Sequence, residues 1–149
     1  EEKGEAAQSA DLDCLIDISV NAHIPESYVE SLTLRLDVYR RIADIRNKED
    51  SLDVKDELKD RFGEIPESVL GLIDIALIRN CANAMGIYEI RQTDTNVLLF
   101  VKEIKSPKVI ELLSRLNGRA MLSAGNKPYI TIRCGGGSSL DMLKKVFKI

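Results

Sequence analysis

At Gly86 the apolar period of this chain changes from helical to alternating, and that change most narrows what the chain can fold into. Upstream, apolar residues recur every three or four positions; downstream, short runs of period two come in pairs, each pair followed by one helical stretch. Helices and antiparallel strands are thus segregated along the sequence, which marks an α+β fold. The order expected is an extended N-terminal arm, a three-helix segment, then hairpin–helix–hairpin–helix with a small, mainly antiparallel sheet. A chain of 149 residues fits one domain and can bury a real core. Residues 1–12 are polar, acidic and without large apolar groups, and are expected to form a flexible linker. Residues 13–149 are then a single domain. Because the chain opens on Glu1, it reads as a piece of something longer.

The elements can be placed from their punctuation. Cys14–Ile18 is short and β-branched, an expected edge strand or extended arm, and Ile24-Pro25 forces extended backbone after it. Ile24 and Tyr28 are expected to tack this arm onto the core. Ser31 suits the N-cap of a first helix whose apolar stripe is Leu32, Leu36, Tyr39 and Ala43, widened by Ile42 and Ile45. Asn47 is expected to end that helix in a left-handed conformation. A second helix should follow Asp50-Ser51 and run to Phe62. A third should run from Pro66 to about Met85, apolar over a wide surface and therefore covered on several sides. The strands expected are Ile87–Arg91 with Val97–Val101, and Arg119–Ser123 with Tyr129–Arg133. A helix opening at Ser106-Pro107 separates the two hairpins and should stop at Asn117-Gly118, and a final helix runs from Ser139 to about Phe147.

The stretch Glu57–Pro66 combines a structural corner with a charged surface. Leu58 and Phe62, four apart, share one helix face; Gly63 suits the positive φ that ends a helix; Pro66 suits the first turn of the next. Full burial of Phe62 would make Phe62→Ala cost about 3–5 kcal/mol. On the other side of this helix lie Asp53, Asp56 and Asp60, with Glu57 beside them. Their i,i+3 and i,i+4 spacings make them repel by roughly 0.2–0.5 kcal/mol per pair, relieved in part by Lys55 and Lys59. Such a face is either simply solvated or a docking surface for an arginine-bearing partner.

Little else points to chemistry. His23 is the single histidine, without a nucleophile partner, and there is no phosphate loop of the GxxxxGK[ST] type. No catalytic, cofactor or metal residue is assigned, and the fragment is not expected to be an enzyme. Cys14, Cys81 and Cys134 form no CxxC pair, which argues for plain thiols in a reducing, cytoplasmic setting. A net charge of −3 argues against direct nucleic-acid binding, and no apolar run could span a bilayer. Gly135-Gly136-Gly137-Ser138-Ser139 reads as a connector with a helix cap. The basic residues Arg35, Arg40, Arg41, Arg46 and Lys48 read as a solvated face or a protein contact.

Three ordered motifs carry a family resemblance. Ile24-Pro25-Glu26-Ser27-Tyr28-Val29, Arg35–Ala43 and Glu57–Pro66 resemble the IPxxYI, RLxxYxRLA and ELxDRFGxxP patterns of the C-terminal regulatory domain of bacterial transcription-repair coupling factor. The resemblance covers about residues 15–86. Glu30 departs from a frequent proline, and the triple glycine is not a family hallmark. The resemblance implies an ATP-driven DNA translocase as parent, which clears stalled RNA polymerase and recruits excision repair through UvrA. It implies that this domain is non-catalytic and autoinhibitory, packing on the UvrB-like N-terminal domain and restraining the motor until polymerase engages. The family's ELxD acids map onto Glu57 and Asp60. The competing reading is a small-molecule-sensing α+β regulatory module, which would need a defined polar pocket.

Overall fold

In a computed structural model the described residues are 13–116, 118–134 and 138–149. The linker expected over residues 1–12 and the triple-glycine connector lie outside them, as does Asn117. Among the described residues the chain forms five helices and a five-stranded mixed sheet, the α+β arrangement expected. The elements are β1 (Leu15–Asp17), α1 (Leu32–Ala43), α2 (Lys48–Phe62), α3 (Glu67–Ala84), β2 (Ile87–Gln92), β3 (Asn96–Val101), α4 (Pro107–Leu116), β4 (Ala120–Ser123), β5 (Tyr129–Arg133) and α5 (Ser139–Val146). They divide into two compact units, Val20–Ile78 with Ile149, and a sheet unit that takes in the arm up to Ser19 together with Arg79–Lys148. Helix α3 contributes to both.

The helical unit is built on Ile24, Val29, Val38, Ile42, Ile45, Val54, Leu58, Val69, Ile73 and Ala76, all buried. Ser31 caps α1 by accepting from the Leu34 amide, as its type predicts. The apolar stripe expected for α1 is corrected. Leu32, Leu36 and Tyr39 are among the exposed large apolar residues, while Val38 and Ile42 face inward. The helix ends at Ala43, and Asn47 does not terminate it: Asn47 has extended backbone and caps α2, accepting from the Asp50 amide at 2.8 Å. An asparagine side chain satisfies a helix N-terminus as readily as its backbone ends one. Helix α2 therefore starts three residues earlier than Ser51.

The α2–α3 corner is held from the arm. Tyr28 Oη donates to the Gly63 carbonyl at 2.9 Å and lies 3.3 Å from the Leu58 carbonyl, and its ring packs on Phe62 with centroids 5.7 Å apart. One hydroxyl thereby bridges the last turn of α2 and the Gly63 carbonyl just beyond it. Phe62 itself is only partly buried, so truncating it costs less than a fully enclosed ring would.

In the sheet unit the strand order is β1-β2-β3-β5-β4, with β1 parallel to β2 and all other pairs antiparallel. The arm strand is the edge expected of it. Ile90, Val97, Leu99, Ile130 and Ile132 share one face of the sheet and are buried, and Val109 and Leu112 of α4 and Leu143 and Val146 of α5 are buried as well. The start of α5 is tied to β2 by Ser139 Oγ and Gln92 Oε1 at 2.8 Å, and Gln92 Oε1 also accepts from the Ser19 amide at 2.7 Å.

Gly63 has φ 92° and ψ −161°, a region essentially confined to glycine rather than the left-handed helical one. Nothing lies within 4 Å of a Cβ built there. Gly63→Ala should therefore destabilise by about 1–3 kcal/mol through backbone strain alone. Denaturant unfolding checks this; an alanine variant as stable as the parent chain would show that the corner relaxes at no cost.

Candidate docking surface

Helix α2 presents two chemically distinct sides. Val54 and Leu58 are buried, and Ser51, also buried, donates to the Lys48 carbonyl at 2.7 Å. Glu49 and Asp50 occupy the first turn and Lys59 and Arg61 the last, the order that the helix dipole favours. Asp50 also accepts from the Arg46 amide at 3.0 Å, so this acid is committed to the helix start.

Asp53, Asp56 and Asp60 are exposed, and no salt bridge among the described residues engages them. Glu57 differs from its neighbours. Its Oε1 accepts from Arg41 Nε at 3.1 Å and from Arg41 Nη2 at 2.5 Å, and its Oε2 lies 3.3 Å from Arg61 Nη1. Both oxygens are thus occupied within the domain, by a guanidinium from α1 and by one from the next turn of α2. The Arg41 hydrogen bonds hold the Glu57 carboxyl below its ordinary range; burial opposes them, and the charge of Arg41 and the contact to Arg61 add to the lowering. Relief of the acidic face comes from Arg41 and Arg61 rather than from Lys55 and Lys59. The spacing of Glu57 and Arg61 was readable as an i,i+4 pair; the Arg41 contact, sixteen residues away, has no local signal.

The other basic residues of α1 are spent locally. Arg35 Nη1 donates to the Val29 and Glu30 carbonyls at 2.8 Å each and fastens the arm, and Arg40 pairs with Asp37 at 3.1 Å. His23 is exposed, and its amide donates to the Ser68 carbonyl at 3.2 Å. The three cysteines are free thiols. Burial pushes the Cys14 thiol up to about 12, which makes it inert at neutral pH. Among the described residues no group of acids, histidines and cysteines is arranged to hold a metal, and no helix is long and apolar enough to cross a membrane.

A carboxyl held low by a native partner contributes stability above its ordinary range and loses it as pH falls through the lowered value. Glu57→Gln should therefore cost less than about 1 kcal/mol at pH 7, since the pair is half-exposed. The difference from the parent chain should vanish on acidification, when Glu57 is protonated too. Thermal unfolding from pH 7 to pH 3 checks this; a gap that persists at pH 3 would assign the loss to packing instead.

Comparison with known proteins gives one consistent answer. The TRCF domain family matches residues 18–111, well over half of the chain. The transcription-repair-coupling factor of Bacillus subtilis is 29% identical over 152 aligned residues, covering 98% of this chain but 13% of its own length. That of Rickettsia prowazekii is 30% identical over 114 residues, covering 75% of this chain and 10% of its own, and that of Mycobacterium bovis is 38% identical over 78 residues. The chain thus spans about an eighth or less of these relatives. A crystal structure of the C-terminal domain of a transcription-repair coupling factor superposes with a TM-score of 0.79 over 91% of this chain and 88% of that one, at 17% identity, so the fold is shared. The chain belongs to the TRCF domain family and corresponds to the C-terminal domain of bacterial transcription-repair-coupling factors.

Proposed function

We propose that this domain is a non-catalytic autoinhibitory clamp within a larger ATP-driven DNA translocase that couples transcription to nucleotide excision repair. In this reading it docks on the UvrB-like N-terminal domain of the same protein. There it masks the surface that UvrA would bind and restrains the motor, until RNA polymerase engages the parent. The observation that carries the proposal is the face of α2, where Asp53, Asp56 and Asp60 are exposed with no salt-bridge partner among the described residues, beside Glu57, itself held by arginines.

The energetics suit a releasable contact. Exposed ion pairs contribute about 0.2–1 kcal/mol each, so three or four bias a closed state without locking it. The four acids do not contribute equally. An arginine from the partner must compete with Arg41 and Arg61 for Glu57, which makes its net gain the smaller. Asp53 is coupled to Arg41 by charge alone, and Asp56 and Asp60 have no salt bridge among the described residues. Steering by this face is also screened by salt, which makes release sensitive to conditions.

The test is binding of this chain to the UvrB-like domain of its parent, followed at several salt concentrations. Asp53→Lys with Asp60→Lys should weaken binding by about tenfold or more and flatten its salt dependence. A double reversal at Lys108 and Glu111 on α4 should leave both unchanged. Equal affinity and salt slope for the α2 variant would place the docking surface elsewhere.

A further inference from the structure

The sheet unit has a second face, opposite its buried apolar one, and its two ends are unlike. Toward one end the face is filled by its own side chains. Phe100 lies 5.3 Å from Tyr129 and 6.2 Å from Tyr88 between ring centroids, and the Arg91 guanidinium sits 5.3 Å over the Phe100 ring. Arg91 is in turn paired with Glu89 at 2.7 Å. At the other end is an open pocket of about 720 Å³, lined among others by Thr95, Asn96, Arg119, Met121, Thr131 and Arg133.

Sheet register builds this pocket from three strands. Asn96 of β3 pairs with Arg133 of β5, and Met121 of β4 pairs with Thr131 of β5. Because Ala120 pairs with Ile132, Arg119 comes next in line beside Arg133. Arg133 at the end of β5 and Arg119 just before β4 thus stand side by side, an arrangement that like-charge repulsion disfavours. No ion pair among the described residues offsets it for either arginine. Two arginines, two threonines and an asparagine thus line one cavity together with Met121. A phosphate group carries nearly two charges and accepts bidentate arginine hydrogen bonds, so it satisfies both arginines at once.

We propose that this pocket binds the phosphate of a small phosphorylated molecule, about a mononucleotide in size. Its volume falls in the range of small-ligand sites, roughly 300–1,000 Å³. A nucleic-acid strand fits less well. The cations form no extended track, since Arg91 is held by Glu89, and the Phe100 ring on which a base would stack is already covered.

The test is amide-resolved NMR titration of the 149-residue chain, in parallel, with inorganic phosphate, adenosine monophosphate, a four-nucleotide oligothymidylate and succinate. Phosphate and adenosine monophosphate should shift Thr95, Asn96, Thr131 and Arg133 saturably, the nucleotide more tightly than the free ion. Arg119→Gln with Arg133→Gln should lower affinity about tenfold or more, with a thermal midpoint no lower than that of the parent chain. Absence of saturable shifts at these amides, or unchanged affinity in the double variant, would overturn the proposal. Tighter binding of the oligonucleotide would reassign the pocket to nucleic acid, and tighter binding of succinate would reassign it to carboxylates; either outcome also overturns it.

Discussion

The bond from Tyr28 to the end of α2 is the contact on which the helical unit most depends. One phenolic hydroxyl reaches the Leu58 and Gly63 carbonyls, at the point where the chain must leave α2 and enter α3. The turn between them demands a backbone conformation that only glycine adopts freely, at Gly63. A strained turn persists when its surroundings over-determine it, and here the surroundings are the arm. Arg35 fastens that arm through the Val29 and Glu30 carbonyls, and Val29 is itself buried. Burial and nearby Glu64 raise the Tyr28 phenol above its ordinary value, so the bond is fully made at neutral pH and weakens only as strongly alkaline pH ionises the ring.

That corner also explains why the acidic face is orderly rather than merely charged. Fixing the C-terminal end of α2 fixes the azimuth of Glu57, one turn before Arg61. Arg41 can then reach Glu57 with two nitrogens, and the planar fork makes the contact directional in a way a lysine could not. Among the remaining acids Asp53 feels Arg41 through charge alone, and none of Asp53, Asp56 and Asp60 forms a salt bridge among the described residues. Electrostatics therefore divides a face that looks uniform in sequence into one committed carboxylate and three available ones.

Sequence made the class of fold legible because it is set by period, and the period change at Gly86 survives any detail of packing. It also made the caps legible where residue type and position agree, as at Ser31. It misjudged Asn47 because asparagine serves two roles whose difference lies in backbone angles. The α1 stripe held at Ile42 and Ile45 but failed at Leu32, Leu36 and Tyr39 for another reason. That helix carries apolar residues around much of its circumference, so Leu32, Leu36 and Tyr39 satisfy helical spacing as well as Val38 and Ile42 do. Which set faces inward is decided by the neighbours that tertiary structure brings. Tyr39 is a partial case: it stays largely accessible while its hydroxyl accepts from the Ile24 amide at 3.0 Å. Strand order was out of reach because the crossover from β1 to β2 spans three helices and leaves no local trace.

Net charge shows the same limit on a larger scale. A total of −3 is a sound argument against a surface devoted to polyanions, since such surfaces need many cations in a track. It says nothing about two arginines that sheet register sets side by side. Arg119 and Arg133 lie fourteen positions apart, each among neutral or apolar neighbours, and only the pairing of β4 with β5 joins them. The acidic face of α2 is the converse: four acids close in sequence dominate the count, yet one is neutralised by a residue from another helix. Recognition depends on the charge left unpaired after folding, and that remainder has to be read from the contacts.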